Sequence, residues 1–173
     1  MTFSYSSRGF TLIELLVVIS IVALMSSIVF AALSTARNKG ANSGVVQNMS
    51  GIHAEGDLQY NEVGCYATTG TACSASVPAA TTGACPITGS TIFADPTMVR
   101  QILAARNNGG GLASCGSNAG GSEWAVVVQL KTDAALAWCV DSRGARKQEG
   151  TPGGTALNQT SINAFITASS RCL

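Results

Sequence analysis

Residues 8–33 read RGFTLIELLVVISIVALMSSIVFAAL, and this stretch decides how the rest of the 173-residue chain is organised. Between Phe10 and Leu33, 19 of 24 residues are apolar and Glu14 is the only charged residue. At about 1.5 Å per residue, a helix of this length spans roughly 36 Å, more than the hydrocarbon core of a bilayer. Because apolar residues surround the whole helix, we predict a membrane-spanning or fully buried helix.

The overall composition excludes two classes of protein. The chain is 46% hydrophobic and 11% charged, with 10 Lys and Arg residues against 9 Asp and Glu residues. A disordered chain would need lower hydrophobicity and higher charge. The near balance of charges gives no basic surplus for a phosphate backbone, so we predict no direct nucleic-acid binding.

Two ordinary explanations compete for the apolar stretch. A cleaved secretory signal could use Arg8 as its basic region and end after a small residue such as Ala31 or Ala36. Such a signal has a shorter apolar region and no carboxylate at its start. A plain single-span anchor explains the length but leaves Glu14 without a partner, at a cost of about a few kcal/mol.

The start of the stretch resembles, residue by residue, the class III signal of type IV prepilins and pseudopilins. That signal has a short polar leader ending in a glycine, here Gly9, followed by Phe-Thr-Leu-Ile-Glu, here residues 10–14, and a long apolar helix. The resemblance implies that a prepilin peptidase cleaves between Gly9 and Phe10 and methylates the new Phe10 amine. Glycine suits such a site because the absence of a Cβ lets a protease approach the backbone closely.

Glu14 acquires a partner under this interpretation. The resemblance implies that its carboxylate pairs with the Phe10 ammonium of a neighbouring subunit, so that both charges enter the apolar filament core together. Burying either charge alone would be much less favourable. Pairing within one chain is the alternative, because Glu14 lies near both its own new terminus and the positive end of its own helix.

The resemblance and the composition divide the chain into three parts. Residues 1–9 form a cleaved leader, and residues 10–33 form a transmembrane and filament-core helix. Residues 34–173 form an extracytoplasmic pilin domain that includes the second half of the long helix. Ala31 occupies the position where many major pilins carry a helix-breaking proline, which favours a continuous helix and leaves the choice between pilin and pseudopilin open.

One long helix is predicted from Phe10 to about Asn61, because apolar residues continue at three- and four-residue steps. Its second half contains four glycines, each costing up to about 1 kcal/mol relative to alanine, so tertiary packing must support it. We interpret the pair with GxxxG spacing, Gly40 and Gly44, as close-packing or flexible positions. Residues 64–90 have no sustained period and favour a loop.

The remaining patterns predict a helix and a small sheet. Asp95 and Pro96 are typical of a helix start, and the glycine run at 109–111 ends that helix without forming a phosphate-binding loop. Strand-like runs lie at 124–130, 135–140 and 145–148. The fold class is therefore α+β and pilin-like, with a long N-terminal helix packed against a small antiparallel sheet.

The C-terminal segment and the two tryptophans complete this interpretation. Residues 161–168 are compatible with a short helix or an edge strand. Trp124 and Trp138 lie in strand-like runs, where packing in the core is more common than a role in ligand binding.

The six cysteines all follow the apolar stretch, as expected of an exported domain in an oxidising compartment. They are Cys65, Cys73, Cys85, Cys115, Cys139 and Cys172. No CxxC spacing occurs, so we predict three disulfides and no metal site. Six cysteines allow 15 pairings, among which spacing does not choose. The resemblance implies one pair, Cys139 with Cys172, because pilins tie their C-terminal tail to the sheet.

No set of residues forms a recognisable catalytic or cofactor motif. His53 is the only histidine. Glu55, Asp57 and Glu62 are typical of a solvated helix face or a salt-bridge surface between subunits. We therefore expect neither an enzyme nor a cofactor.

The resemblance implies a structural subunit of a type IV pilus or related filament. Its partners would be copies of itself, other pilins, prepilin peptidase and an assembly platform in the membrane. The precursor would span the cytoplasmic membrane once, and the assembled chain would lie at the cell surface. Adhesion, motility, DNA uptake and secretion all remain open as roles.

Three alternatives are kept. One is a pseudopilin of a type II secretion or DNA-uptake machine. Another is a minor, adhesin-like pilin whose loops between Gly64 and Gly121 bind a ligand. The third is a soluble domain released by ordinary signal peptidase.

Overall fold

A computed structural model describes residues 9–67, 81–85, 91–166 and 170–173. The chain divides into two compact units, Met1–Arg37 and Asn38–Leu173, and the first helix contributes to both. The elements in chain order are α1 (Leu12–Val63), β1 (Thr81–Ala84), a 3-10 turn (Ile92–Ala94), α2 (Pro96–Asn108), β2 (Ala113–Ser117), β3 (Trp124–Gln129), β4 (Leu136–Asp141), β5 (Arg146–Gly150) and α3 (Gln159–Asn163).

The first unit consists of the N-terminal part of α1. The helix begins and ends two residues later than predicted, and it continues without a break through position 31, as the absence of proline there favours. All sixteen large apolar side chains between Phe10 and Leu33 are exposed. Among the described residues, α1 is the one helix long and apolar enough to cross a membrane.

Three serines interrupt the apolar surface of this part of α1. Their hydroxyls donate to backbone carbonyls one turn earlier, at distances of 2.7 to 2.8 Å. The donors are Ser20, Ser26 and Ser27, and the acceptors are the carbonyls of Leu16, Val22 and Leu24. With its serines satisfied in this way, the helix presents an almost wholly apolar surface to its surroundings.

The second unit contains an antiparallel sheet whose five strands follow chain order, β1-β2-β3-β4-β5. The strands predicted at 124–130, 135–140 and 145–148 are confirmed as β3, β4 and β5. The fold class is also confirmed: the chain is α+β, with a long N-terminal helix and an antiparallel sheet.

The sheet has two more strands than the sequence predicted. The loop prediction for residues 64–90 is wrong at β1, and β2 was missed. Residues 68–80 and 86–90 of that predicted loop lie outside the described part of the chain. The two missed strands read TTGA and ASCGS, which contain few of the branched and aromatic side chains that signal a strand. Pairing in the sheet stabilises them instead of intrinsic propensity: β2 pairs with β3, and β1 pairs with β2.

Every residue of β3 is buried because both faces of the sheet are covered. One face packs against α1 and α2, and its core includes Val45, Met49, Ile52, Met98, Ile102, Trp124, Val126 and Val128. The other face packs against α3, and its core includes Ala125, Val127, Ala137, Cys139, Ile162 and Ile166. Alternate residues of one strand therefore serve two different cores.

Three glycines of α1 lie where a side chain would collide with a neighbour. A Cβ would come within 2.9 Å of Asn108 at Gly44, of Gln101 at Gly51, and of the Trp124 ring at Gly56. A Cβ at Gly40 would meet nothing within 4 Å. The interpretation of Gly44 as a close-packing position is confirmed, whereas no residue in the described ranges would contact a Cβ at Gly40.

Helix α2 begins as the sequence predicted. The Asp95 carboxylate accepts hydrogen bonds from the backbone amides of Thr97 and Met98 at 2.8 and 2.9 Å, and Pro96 occupies the first turn. The glycine run follows the helix directly and packs on β3, since a Cβ at Gly109 would overlap the carbonyl oxygen of Gln129.

The chain's end forms a short helix and a bridge to the last residues. Helix α3 covers Gln159–Asn163, so the short-helix alternative holds for the first part of residues 161–168. Ile166 bridges to Cys172, and residues 167–169 lie outside the described residues.

Candidate assembly site at the start of the long helix

Gly9 and Phe10, the predicted processing residues, lie in non-helical backbone before α1. Phe10 is 81% exposed, and a Cβ at Gly9 would meet nothing within 4 Å. Among the described residues, nothing therefore places a steric demand for glycine at position 9. A requirement for glycine there would have to come from a protein that binds this segment.

Thr11 and Glu14 close the first turn of α1 by a reciprocal arrangement. The Glu14 carboxylate oxygen Oε2 accepts from the Thr11 amide at 2.9 Å and from the Thr11 hydroxyl at 2.8 Å. In return, the Thr11 hydroxyl oxygen accepts from the Glu14 amide at 3.3 Å. This is a capping box, in which a threonine and a glutamate three residues later satisfy amides that a helix start leaves free.

The capping role of Thr11 was missed in the sequence, although Thr-x-x-Glu before an apolar run is a known signature of a helix start. The alternative of pairing within one chain is thus realised in part, through Thr11. The predicted pairing of Glu14 with the Phe10 amine of a neighbour stays a prediction, since a single chain cannot test it.

The surroundings of Glu14 are apolar. A shallow cavity of about 330 Å³ beside it is lined by Phe10, Ile13, Val17 and Val18 in addition to Glu14 itself. Glu14 forms no salt bridge among the described residues, and its second oxygen, Oε1, accepts no hydrogen bond there. The carboxylate is thus partly satisfied as a helix cap and uncompensated as a charge.

A second polar cluster, which the sequence did not reveal, holds the chain's end to the sheet. Glu123 accepts from the guanidinium groups of Arg143 and Arg171 at distances between 2.6 and 3.0 Å. The hydrogen bond from Arg171 is the main reason why the pKa of Glu123 lies below its usual range. Since the three residues are far apart in sequence, no local pattern could have indicated this cluster.

The cysteine residues form disulfides in the second unit. Cys85 pairs with Cys115, and Cys139 pairs with Cys172, so the pair implied by the resemblance is present. Cys65 is also disulfide-bonded, and Cys73 lies outside the described residues. No described cysteine is free. The backbone amide of Cys172 also donates to Asp141 at 3.2 Å, next to the Glu123 cluster.

The histidine and the acidic residues of α1 do not form one cluster. His53 lies 3.3 Å from the Asp57 carboxylate and edge-on to the buried Trp124 ring. Glu55 and Glu62 form no salt bridge within the described part of the chain. Among the described residues, no group of three His, Cys, Asp or Glu side chains is placed to hold a metal ion.

The two tryptophans differ in their environment. Trp124 is fully buried, which confirms core packing for that residue. Trp138 is half-buried and packs against the edge of the same core.

Comparison with known proteins identifies the N-terminal segment. Residues 5–30 match the prokaryotic N-terminal methylation motif. This motif defines the class of precursors that carry a class III signal. Within that class, the chain carries the hallmark of type IV pilins and pseudopilins, as its resemblance to their signal indicated. No curated protein and no solved structure matches the chain.

Proposed function

We propose that this chain is a structural subunit of a type IV pilus or related filament and not an enzyme. Prepilin peptidase cleaves it between Gly9 and Phe10 and methylates the Phe10 amine, and its apolar helix then packs with those of other subunits. One observation supports this most strongly. The class III signal leads into the apolar part of α1, where every large apolar side chain up to Leu33 is exposed and a single charge, Glu14, lies at the start.

The solvent around such a helix explains why Glu14 is the residue that matters for assembly. Lipid tails are as apolar as leucine side chains, so moving the helix from a bilayer into a bundle of similar helices changes little in hydrophobic free energy. The free energies of the charged groups do change. In a bundle, the Glu14 carboxylate can meet a Phe10 ammonium of a neighbour, which offsets the penalty for burying either charge.

The capping box is compatible with cleavage. The bond to be cut precedes Phe10, whereas the box uses the Thr11 amide, the Thr11 hydroxyl and Glu14. All of these groups remain after the leader has left. Because Thr11 occupies only Oε2, the other oxygen is available to a new ammonium group.

The first experiment measures the N-terminus and the intact mass of the full chain, expressed with and without a prepilin peptidase. We expect a chain that begins at Phe10 and carries one added methyl group only when the peptidase is present. An N-terminus at Arg37 would instead indicate ordinary signal peptidase and would overturn the proposal.

A Gly9→Val variant makes this experiment specific. A Cβ at position 9 meets nothing within 4 Å, so loss of cleavage in this variant reports on the peptidase and not on misfolding. Position 40 is equally open, but Gly40→Val is not a suitable control because position 40 lies within α1. Gly9→Ala provides a graded comparison, since it adds a single methyl group at the same open position.

A pseudopilin of a secretion or DNA-uptake machine is the second candidate. The continuous course of α1 through position 31 favours it, because many major pilins have a proline at this position. The amount of the chain in filaments sheared from cells separates the two. A major pilin is the principal component of that fraction, whereas a pseudopilin or a minor adhesin-like pilin is present in traces.

A further inference from the structure

A cationic pocket lies where α2 ends against the β3–β4 turn. Its volume is about 330 Å³. It is lined by Arg106, Asn107, Gly109, Gly110, Gly111 and Lys131. Two cationic side chains therefore face one small cavity that has no carboxylate among its lining residues.

The carboxylate of the β3–β4 turn, Asp133, already accepts hydrogen bonds from the backbone. Its two oxygens accept from the backbone amides of Ala135 at 2.9 Å and Gly153 at 2.7 Å. These bonds hold the pKa of Asp133 below its usual range, with the bond from Gly153 as the larger cause. Lys131 forms no salt bridge within the described residues. Arg106 donates one hydrogen bond, to the carbonyl of Cys85 at 3.4 Å, and likewise forms no salt bridge there. Among the described residues, neither positive charge of the pocket is therefore paired with a carboxylate.

The glycines of the pocket do not form a cradle for phosphate. The amides of Gly109 and Gly110 already donate to the carbonyls of Ala105 and Gln129, at 2.9 Å each. A ligand would therefore be held by the guanidinium and ammonium groups, which suits a carboxylate side chain.

The chain carries such carboxylates at the C-terminal end of α1. We call Glu55, Asp57 and Glu62 the acidic helix end. The last turn of α1 contains no basic residue, and the negative end of a helix dipole disfavours carboxylates. Asp57 contacts His53, and Glu55 and Glu62 form no salt bridge within the described residues. Within one chain this placement is electrostatically unfavourable, and a cation from another molecule would offset it.

The cationic pocket and the acidic helix end lie far apart in one copy. The Lys131 amide donates to the side chain of Asn42 at 2.7 Å, so the pocket lies beside residue 42 of α1. Glu62 follows twenty residues later on the same helix, which is roughly 30 Å along its axis. The two surfaces therefore cannot neutralise each other within a single chain.

We propose that the cationic pocket of one copy binds the acidic helix end of another copy, with Arg106 and Lys131 facing Glu62. Both partners are surfaces of the second unit, so this contact is separate from the pairing of Glu14 with Phe10. A head-to-tail contact between different surfaces repeats without closing and produces a filament. The inference rests on the proposed function, since it describes how the subunits of that filament recognise each other. One exposed ion pair is weak, but the contact repeats at every subunit.

Charge reversal in the full chain tests this contact. We expect Lys131→Glu and Glu62→Lys each to reduce the filaments sheared from cells by roughly tenfold or more. The double variant Lys131→Glu/Glu62→Lys exchanges the signs at this one pair while Arg106 stays positive, and it should restore a part of the filaments. Arg146→Glu is the matched control for Lys131→Glu, because Arg146 is exposed on β5, belongs to neither surface, and its reversal changes the net charge by the same amount.

Three measurements distinguish loss of this contact from loss of processing or folding and from failure of the proposed function. The N-terminus and the amount of membrane-stored chain should match the unmodified protein in every variant, which shows that processing and folding are intact. Single reversals that assemble normally, or a double variant no better than either single variant, would overturn this contact while leaving the proposed function intact. An unmodified chain that is neither cleaved at Phe10 nor found in filaments would overturn the proposed function itself.

Discussion

Glu14 accepts two hydrogen bonds from Thr11 through one carboxylate oxygen, at 2.9 Å from the amide and 2.8 Å from the hydroxyl. A residue that the class III signal associates with assembly is therefore also the cap of its own helix. Any variant of Glu14 that removes the whole side chain changes both properties together. Separating them requires a substitution that keeps the cap and removes the charge.

Glu14→Gln is that substitution, because glutamine also accepts hydrogen bonds in a capping box. We expect Glu14→Gln and Glu14→Ala to be cleaved between Gly9 and Phe10 but to enter filaments poorly, since both lack the charge that meets the Phe10 ammonium. The measurement is the ratio of sheared-filament chain to membrane-stored chain. Normal assembly of Glu14→Gln would show that capping, and not intersubunit charge pairing, is the role of this residue.

The contact between Gly56 and Trp124 predicts opposite effects of the same substitution at two glycines of α1. Gly56→Ala would place a Cβ within 2.9 Å of the buried indole ring, and we expect it to lower the free energy of unfolding by about 1–3 kcal/mol. Gly40→Ala meets no neighbour within 4 Å and should raise the free energy of unfolding by about 0.5–1 kcal/mol through helix propensity.

Thermal unfolding of the full-length chain in detergent, followed by tryptophan fluorescence, measures both changes. Equal effects of the two substitutions would contradict the close packing of α1 on the sheet.

The Cys139–Cys172 disulfide closes a loop with a sequence separation of 33 residues. We expect the double substitution Cys139→Ser/Cys172→Ser to reduce the free energy of unfolding by about 2–5 kcal/mol, chiefly by giving the unfolded chain more freedom. Chemical unfolding of the detergent-solubilised chain checks the value. If the midpoint matches that of the unmodified protein, the Glu123 cluster and the Asp141 contact alone suffice to hold the chain's end.

The lowered pKa of Glu123 predicts that the folded chain loses stability in acid. Its pKa is lowered in the folded chain, mainly by the hydrogen bond from Arg171, so the folded state binds the proton less readily than the unfolded state. The resulting stabilisation is present above the unfolded value of about 4.3 and is lost as the pH falls through the lower folded value.

The unfolding temperature, measured from neutral pH down to about pH 3, tests this linkage. Glu123→Gln and Arg171→Gln should both flatten the acid side of the profile, because each removes the same hydrogen-bonded pair. An unchanged profile in both variants would show that other carboxylates control acid unfolding.

The sequence allowed the fold to be predicted where side chains act locally. The course of α1, the Asp95 cap of α2 and the three C-terminal strands all follow from apolar spacing or from a residue that bonds to its near neighbours. Strands β1 and β2 were missed because mostly small residues form them. Pairing with β3 places β2 in the sheet, and pairing with β2 places β1 there. A strand of this kind has no signal until its partner is known.

The same distinction applies to the candidate sites. Gly9, Phe10 and Glu14 lie in one short motif, so the sequence alone was enough to predict processing and assembly roles for them. The Glu123 cluster joins residues up to 48 positions apart, so only the folded chain brings them together. The cationic pocket likewise depends on the packing of Arg106 beside Lys131, which belong to different elements.

The second half of α1 depends for its stability on the residues that pack against its glycines. Gly44, Gly51 and Gly56 lower its intrinsic helicity, and contacts with α2 and the sheet compensate only once those elements are in place. The apolar half needs no such support inside a bilayer, where backbone groups must be satisfied internally. Under the proposed function, the two halves of one helix therefore become ordered at different times: the first on membrane insertion, and the second when the exported domain folds against it.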